Sequence, residues 1–474
     1  MNYSSIIISA SLSIFSITSL AQVIEKKTTL ADQSQLSITI YNNDLALIKD
    51  QRKVILDKGF NHLAFRGVSA KMRPETAILR SISHGKAFKV YEQNFDYDLL
   101  TPNKLLDKYV GKQIRIARLN PVTGKQSIEK ARVLSTHQGV VLKIGDRIVT
   151  NPEGQYIFDN IPENLRDQPT LITQLNSATN RSQQLELSYL SGGLSWKADY
   201  VAKLNADDSV MDIQGWVTLK NLSGADYKHT KLQLVAGDVN RVTSPTYLPT
   251  QRKKSFAMDD GAMAMSQENL FEYHLYGLNR PTTLLNNQTK QVALLSAHSI
   301  PVTKEFVLNG SNYYYNRQHG QLGNKLKVSV FVQFENNKTT NLGLPIPKGT
   351  VRVYKKDSQN NVQFIGEDNI DHTPKNETIR LKLGNAFDIT ANKKQTDFTK
   401  VKHRQSFESA YQIELKNAKS ESVTVVVREP IPADWKMLKE SHPHKKVTSD
   451  TAEWRIKIPA ESTVTLNYRV RVEY

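Results

Sequence analysis

The sequence predicts an all-β, multidomain protein. It should hold β-sandwich domains of immunoglobulin or fibronectin type, a small β-barrel-like module and few short helices. Three observations predict this. Apolar and polar residues alternate with period two in runs from residue 36 to the C-terminus, the pattern of strands with one buried face. Clusters of Gly, Asn, Asp and Pro separate the runs at sandwich-like spacing. A chain of 474 residues is also too long for one small core.

The first segment is not part of the fold. Ile6 to Leu20 is apolar apart from Ser and Thr and carries no charge, and Ser19-Leu20-Ala21 is a small-x-small site before Gln22. Residues 1–21 therefore read as a signal peptide, though "MNYSS" has no Lys or Arg. The run falls short of the about 20 residues a membrane span needs, and no transmembrane span is expected in the mature chain. The protein has no cysteine, which excludes disulfides, thiolate metal sites, cysteine nucleophiles and a lipoprotein anchor. The expected location is periplasmic or secreted.

The charge balance is 63 Lys and Arg against 46 Asp and Glu, or +17. An excess of this sign favours anionic partners. Export makes nucleic acid an unexpected one and leaves an anionic envelope polymer or an envelope protein.

An N-terminal β domain is expected over 22–100. Residues 36–56 read as two strands around Asn42-Asn43-Asp44, with Leu45, Leu47 and Lys49 alternating against Ala46, Ile48 and Asp50. A short helix plus a small β module is expected over 101–178. Thr101 caps the helix, Pro102 opens it, Leu105, Leu106 and Tyr109 share a face, and Gly111 closes it. "KQIRIARL" and "KQSIEKARVL" flank the turn "NPVTG", and Gly145-Asp146 joins two more short strands. A small barrel or curled sheet should result.

A further β domain should occupy 179–240 and continue over 270–400. Residues 241–269 mix Pro, Gly, Ser and charge without a period and read as a mobile linker or loop. Its Met258, Met263 and Met265 are thioethers of the kind that suit Cu(I), but their spacing is irregular and no histidine lies near. Residues 401–474 read as a C-terminal sandwich of four strands. The last alternates through Val464, Leu466, Tyr468, Val470, Val472 and Tyr474. An outer-membrane barrel could end this way, yet the chain lacks that fold's regular ten-residue segments.

"SYLSGGLSWKADYVAKL" (188–204) poses a choice between a nucleophile elbow at Ser195 and a hairpin. An elbow needs glycines on both sides of the serine, and Lys197 stands where the second should be. Trp196, Ala198, Tyr200, Ala202 and Leu204 alternate with Ser195, Lys197, Asp199, Val201 and Lys203. The stretch is a strand that builds a wall.

Together with "GWVTLKNLSGADYKHTKLQLVAGDVNRV", this stretch resembles a broad family of exported bacterial proteins of unknown function. The matching positions include Tyr189, Gly193, Trp196, Tyr200, Asn221, Ser223, Gly224, Asp226, Leu234 and Gly237. "NLSGAD" should be a turn in which Asn221 and Asp226 bond their own backbone. "LAFRGV", "GEDNIDHTPKNETIRLKLGNAFDI" and "PADW" extend the likeness across nearly the whole mature chain. Related mucoidy-inhibitor-like proteins are tied to surface polysaccharide and carry a coiled coil between their halves, where this chain has its β module. The resemblance implies no catalytic residues and no cofactor.

Chemistry could reside in three places. "GEDNIDHTP" gathers Glu367, Asp368, Asp371 and His372, which could bind a hard cation or act as an acid–base pair, with Asp388 as a companion; the alternative is a polar turn. His442 and His444 in "HPH" are spaced as a strand presents zinc ligands, though Pro443 favours a loop. Tyr313, Tyr314, Tyr315 and Arg317 could stack on sugars, or form an ordinary exposed hairpin. No phosphate-cradling loop, H-E-x-x-H or EF-hand loop is present. The reading is an exported, non-enzymatic envelope protein. A metal-dependent or hydrolytic enzyme using Glu367–His372 is the alternative, and a scaffold binding proteins at a sheet edge is a third.

Overall fold

The computed structural model describes residues 25–42, 44–83, 87–162, 165–237, 239–240, 265–270, 272–401 and 406–474. Residues 1–21, read above as a signal peptide, and residues 241–264 of the expected linker, with Met258 and Met263, lie outside the described residues. The chain forms two compact units: Met1–Leu36 with Ile48–Ser191, and Ser37–Leu47 with Gly192–Tyr474. The fold is all-β, with one short α-helix among the described residues.

The first unit contains a four-stranded sheet in the order Glu25–Thr28, Gly59–Arg66, Thr170–Ser177, Phe88–Asp96. Leu63, Phe65, Leu171 and Leu175 are buried on it. Arg52 is also fully buried. Its guanidinium donates to Asp50 and to Thr28 O and lies 4.6 Å from the centre of the Phe65 ring, so the buried charge is paired and hydrogen-bonded.

The small module begins with helix Pro102–Lys108, whose Lys104 N–H donates to Thr101 Oγ1 at 3.2 Å. Five antiparallel strands follow in the order Arg147–Thr150, Val141–Ile144, Gln126–Ser135, Gln113–Leu119, Gln155–Ile157. The barrel-like expectation is corrected here: the sheet is open. Its edge strands, of four and three residues, each pair with one neighbour and not with each other. Leu106 and Tyr109 of the helix close the core instead, over Ile114, Ile116, Ala131, Val133, Leu142 and Ile144.

The second unit holds a five-stranded sheet in the order Gln288–Pro301, Val210–Asn221, Leu194–Leu204, Gly349–Lys356, Val362–Ile370. Trp196, Ala198, Tyr200, Ala202 and Leu204 are all buried, while Lys197 and Lys203 are exposed. Gly193 sits in the preceding turn at φ +79°, and a Cβ there would meet Ser223 Cα at 2.6 Å. Only glycine fits that crossing. Ser195 follows as a strand residue paired with Lys220, so the stretch is a wall. Strand Tyr227–Ala236 runs parallel to residues 37–41 and antiparallel to Tyr273–Leu278, which pairs with Met265–Leu270. Residues 265–269 therefore lie in a strand, and Met265 is fully buried.

The C-terminal part is one nine-stranded sheet. Its order is Asp434–Glu440, Ser462–Glu473, Ser406–Asn417, Thr378–Val401, Gln321–Glu335, Thr303–Asn309, Val423–Pro430, Thr451–Ile458, Lys445–Thr448. Its two halves face each other: the Trp454 and Tyr468 rings lie 4.9 Å apart, in a core with Ile413, Leu415, Val425, Val427 and Leu466. Of the final strand's alternating residues, Leu466, Tyr468, Val470 and Val472 enter this core. No sheet among the described residues closes on itself, and no described helix is long and apolar enough to cross a membrane.

Candidate functional site

The Glu367–His372 segment does not converge. Glu367 and Asp368 are neighbours on strand Val362–Ile370, so their side chains leave opposite faces. Glu367 pairs with Arg352 at 3.0 Å. Asp368 Oδ2 accepts the Lys382 N–H at 2.7 Å. His372 lies past the strand end, where its Nδ1 accepts the Lys348 N–H at 3.2 Å. Asp388 is exposed on Thr378–Val401. Among the described residues, no group of three or more His, Asp or Glu is placed to hold a metal ion.

His442 and His444 separate as well. His442 Nδ1 lies 2.9 Å from Ser441 Oγ. His444 Nδ1 lies 2.9 Å from Glu440 Oε2, which also accepts the Trp454 indole N–H at 3.0 Å.

The tyrosine stretch is not the exposed hairpin expected. Asn312–Tyr315 is a 3-10 turn that sends Tyr314 and Tyr315 into the core, leaving Tyr313 and Arg317 exposed. The Tyr315 hydroxyl donates to Glu429 Oε2 at 3.0 Å, and Lys393 Nζ donates to the same oxygen at 2.6 Å. Burial pushes the Tyr315 hydroxyl well above its ordinary pKa, and the Glu429 charge adds to this. Burial also pulls the Lys393 ammonium down, against the pull of Glu429. This buried pair escaped the sequence reading. The signal was available, since Lys393 follows Ile389 and Ala391 on the inward face.

The residues that carry the resemblance do structural work. Trp196 is buried, and the Tyr200 hydroxyl donates to Pro347 O at 2.7 Å. Asn221 is fully buried. Its amide donates to Ala225 O and Leu284 O, and its Oδ1 accepts the Ser223 N–H and hydroxyl. Asp226 differs from expectation: its Oδ1 accepts the Asn286 N–H at 2.8 Å, because a second turn comes alongside. That second turn also supplies Asn286 Oδ1 to the Gly224 N–H. At Gly237, φ +136°, a Cβ would meet the Tyr273 ring at 2.5 Å. All these residues lie within a stretch, 185–474, that matches a family described as a domain of unknown function, DUF4139. The chain belongs to the DUF4139 family. No curated protein matches it.

Within the DUF4139 domain, a groove of about 450 Å³ is lined by Lys231, Gln233, Ser266, Glu268 and Arg280, among others. Its Ser266 hydroxyl donates to Gly277 O at 3.2 Å, so it is not held by a base.

The most unusual surface precedes the DUF4139 domain, on the small module. One face of its sheet packs on the helix. The other turns Arg115, Lys130, Arg132 and Lys143 to solvent. Arg115 stands directly opposite Lys130, and Arg132 directly opposite Lys143. Like charges in such positions are destabilising. Glu129, the only carboxylate within these five strands, sits on the other face against Arg118 at 3.3 Å. Asp159, from the following loop, pairs with Arg115. Arg132 donates to Gly111 O. Neither Lys130 nor Lys143 has a carboxylate within ion-pair distance among the described residues. The alternating cations of "EKARVL", Lys130 and Arg132, were the signal in the sequence, but only strand register puts Arg115 and Lys143 beside them.

Proposed function

We propose that this chain is an exported, non-enzymatic cell-envelope protein that attaches to an anionic envelope component, a polymer or a protein. The observation that carries the reading is the outward face of the small module, where like charges oppose each other on neighbouring strands. A sheet gains nothing by that arrangement unless a partner supplies the anions. The net charge of +17 and the signal-peptide pattern agree with it.

The test uses the mature chain from Gln22 and isolated cell envelopes, sedimented together at low and high salt. The wild type should sediment at low salt and be released at high salt. The double variant Lys130→Glu, Lys143→Glu should stay in solution. Failure of the wild type to sediment at low salt would overturn the reading. So would sedimentation indifferent to both salt and the variant.

A further inference from the structure

The cations of this face do not stand alone. Along strand Gln126–Ser135 the outward positions read Ile128, Lys130, Arg132, Leu134: an aliphatic, two cations, an aliphatic. Ile128 is 56% exposed and Leu134 38%. Ile148, 66% exposed, lies directly opposite Lys143 on the edge strand. Leu119, 69% exposed, ends the neighbouring strand on the same face. The face therefore has a cationic centre and an aliphatic border.

That arrangement inverts a protein–protein interface, in which an apolar centre is ringed by polar groups. An anionic sugar polymer would satisfy the cations but offer nothing to the aliphatic side chains. A phospholipid surface satisfies both. Its phosphates meet the Lys and Arg groups, and the flanking aliphatic side chains reach the boundary between headgroups and acyl chains. The three central strands are about 4.8 Å apart, so the four cations form a compact patch.

We propose that the open face of the 113–157 sheet docks on a bilayer surface rich in anionic phospholipid. The proposal rests on the reading of an anionic envelope partner and narrows it to one class.

The experiment is flotation of the mature chain with vesicles of phosphatidylcholine alone and of phosphatidylcholine with phosphatidylglycerol, beside co-sedimentation with alginate as a soluble polyanion. The protein should float with the anionic vesicles and not with the zwitterionic ones. The pair Ile128→Ser, Ile148→Ser keeps every cation and should lower the partition about tenfold. The pair Lys130→Ala, Lys143→Ala should abolish flotation. Both substitute exposed side chains, and thermal unfolding checks that each variant is folded. Equal flotation with both vesicles, or unchanged flotation of the serine pair, would overturn the proposal. Binding to alginate but not to vesicles would overturn it and leave the envelope reading standing. Binding to vesicles, alginate and envelopes all absent would sink both.

Discussion

Two sheets of this protein carry rows of cations and treat them differently. On the five-stranded sheet of the second unit, Lys197 and Arg352 converge on Asp199 at 3.1 and 3.0 Å, and Arg352 reaches on to Glu367. Both of these positive charges have a carboxylate from their own or a neighbouring strand. On the small module, Arg132 and Lys143 face each other with none. The same residue types thus serve two ends. Compensated rows contribute to the fold. An uncompensated row costs the fold a little and is available to something outside it.

The sharpest form of the compensated case is Lys393 with Glu429, side chains 2% and 1% exposed. Glu429→Gln would leave a buried ammonium without its counter-charge. Denaturant unfolding of the C-terminal domain should show a loss of about 3–5 kcal/mol. The double variant Lys393→Met, Glu429→Leu should recover most of it, because the cost lies in the orphaned charge. A single variant as stable as the wild type would break the contrast.

Asp199→Ala comes next, with an expected loss of about 1–3 kcal/mol. Its pH dependence is the finer test. Burial disfavours the Asp199 carboxylate, but hydrogen bonds from Arg352, Lys197 and Thr218 outweigh this and hold its pKa below the usual range. The stabilisation should be complete above about pH 4, the unfolded value, and fade as pH falls through the lower folded one. A gap between wild type and variant that widens in acid would contradict the assignment.

The paired variant Asp368→Ala, His372→Ala removes the acceptors for three backbone N–H groups, those of Asn369, Lys382 and Lys348. A loss of about 1–2 kcal/mol is expected, with envelope sedimentation unchanged. Loss of an envelope phenotype at intact stability would instead revive the enzymatic alternative.

Smallest of all should be Lys130→Ala, Lys143→Ala. Stability should move by no more than about 0.5 kcal/mol, and upward, since repulsion is relieved. A clear destabilisation would show that the row serves the fold after all.

The sequence made most of the local structure legible. Period two placed Trp196, Ala198 and Tyr200 on one face, and Thr101 with Pro102 marked the helix start. What it hid were facts of register and closure. Glu367 and Asp368 look like a cluster because they are adjacent, yet adjacency in a strand sends side chains apart. The module could have been a barrel or a curled open sheet, because nothing local says whether its two end strands meet. Tyr313 to Tyr315 read as one aromatic group, and a single 3-10 turn divided them between solvent and core. The cationic face needed cross-strand pairing, which no single segment contains.

Three pairs of strand partners in the second unit are far apart in the chain. Residues 37–41 lie beside 231–235, 198–204 beside 349–355, and 306–309 beside 425–428, each pair parallel. No early stretch of the growing polypeptide holds both members of any of these pairs. Completion waits for the ribosome to deliver nearly the whole chain, and pairings this remote form slowly even then. For a protein proposed to leave the cytoplasm the delay is useful. A polypeptide that cannot close its sheets early remains a thread while it is being passed across a membrane, and becomes a solid body only on the far side.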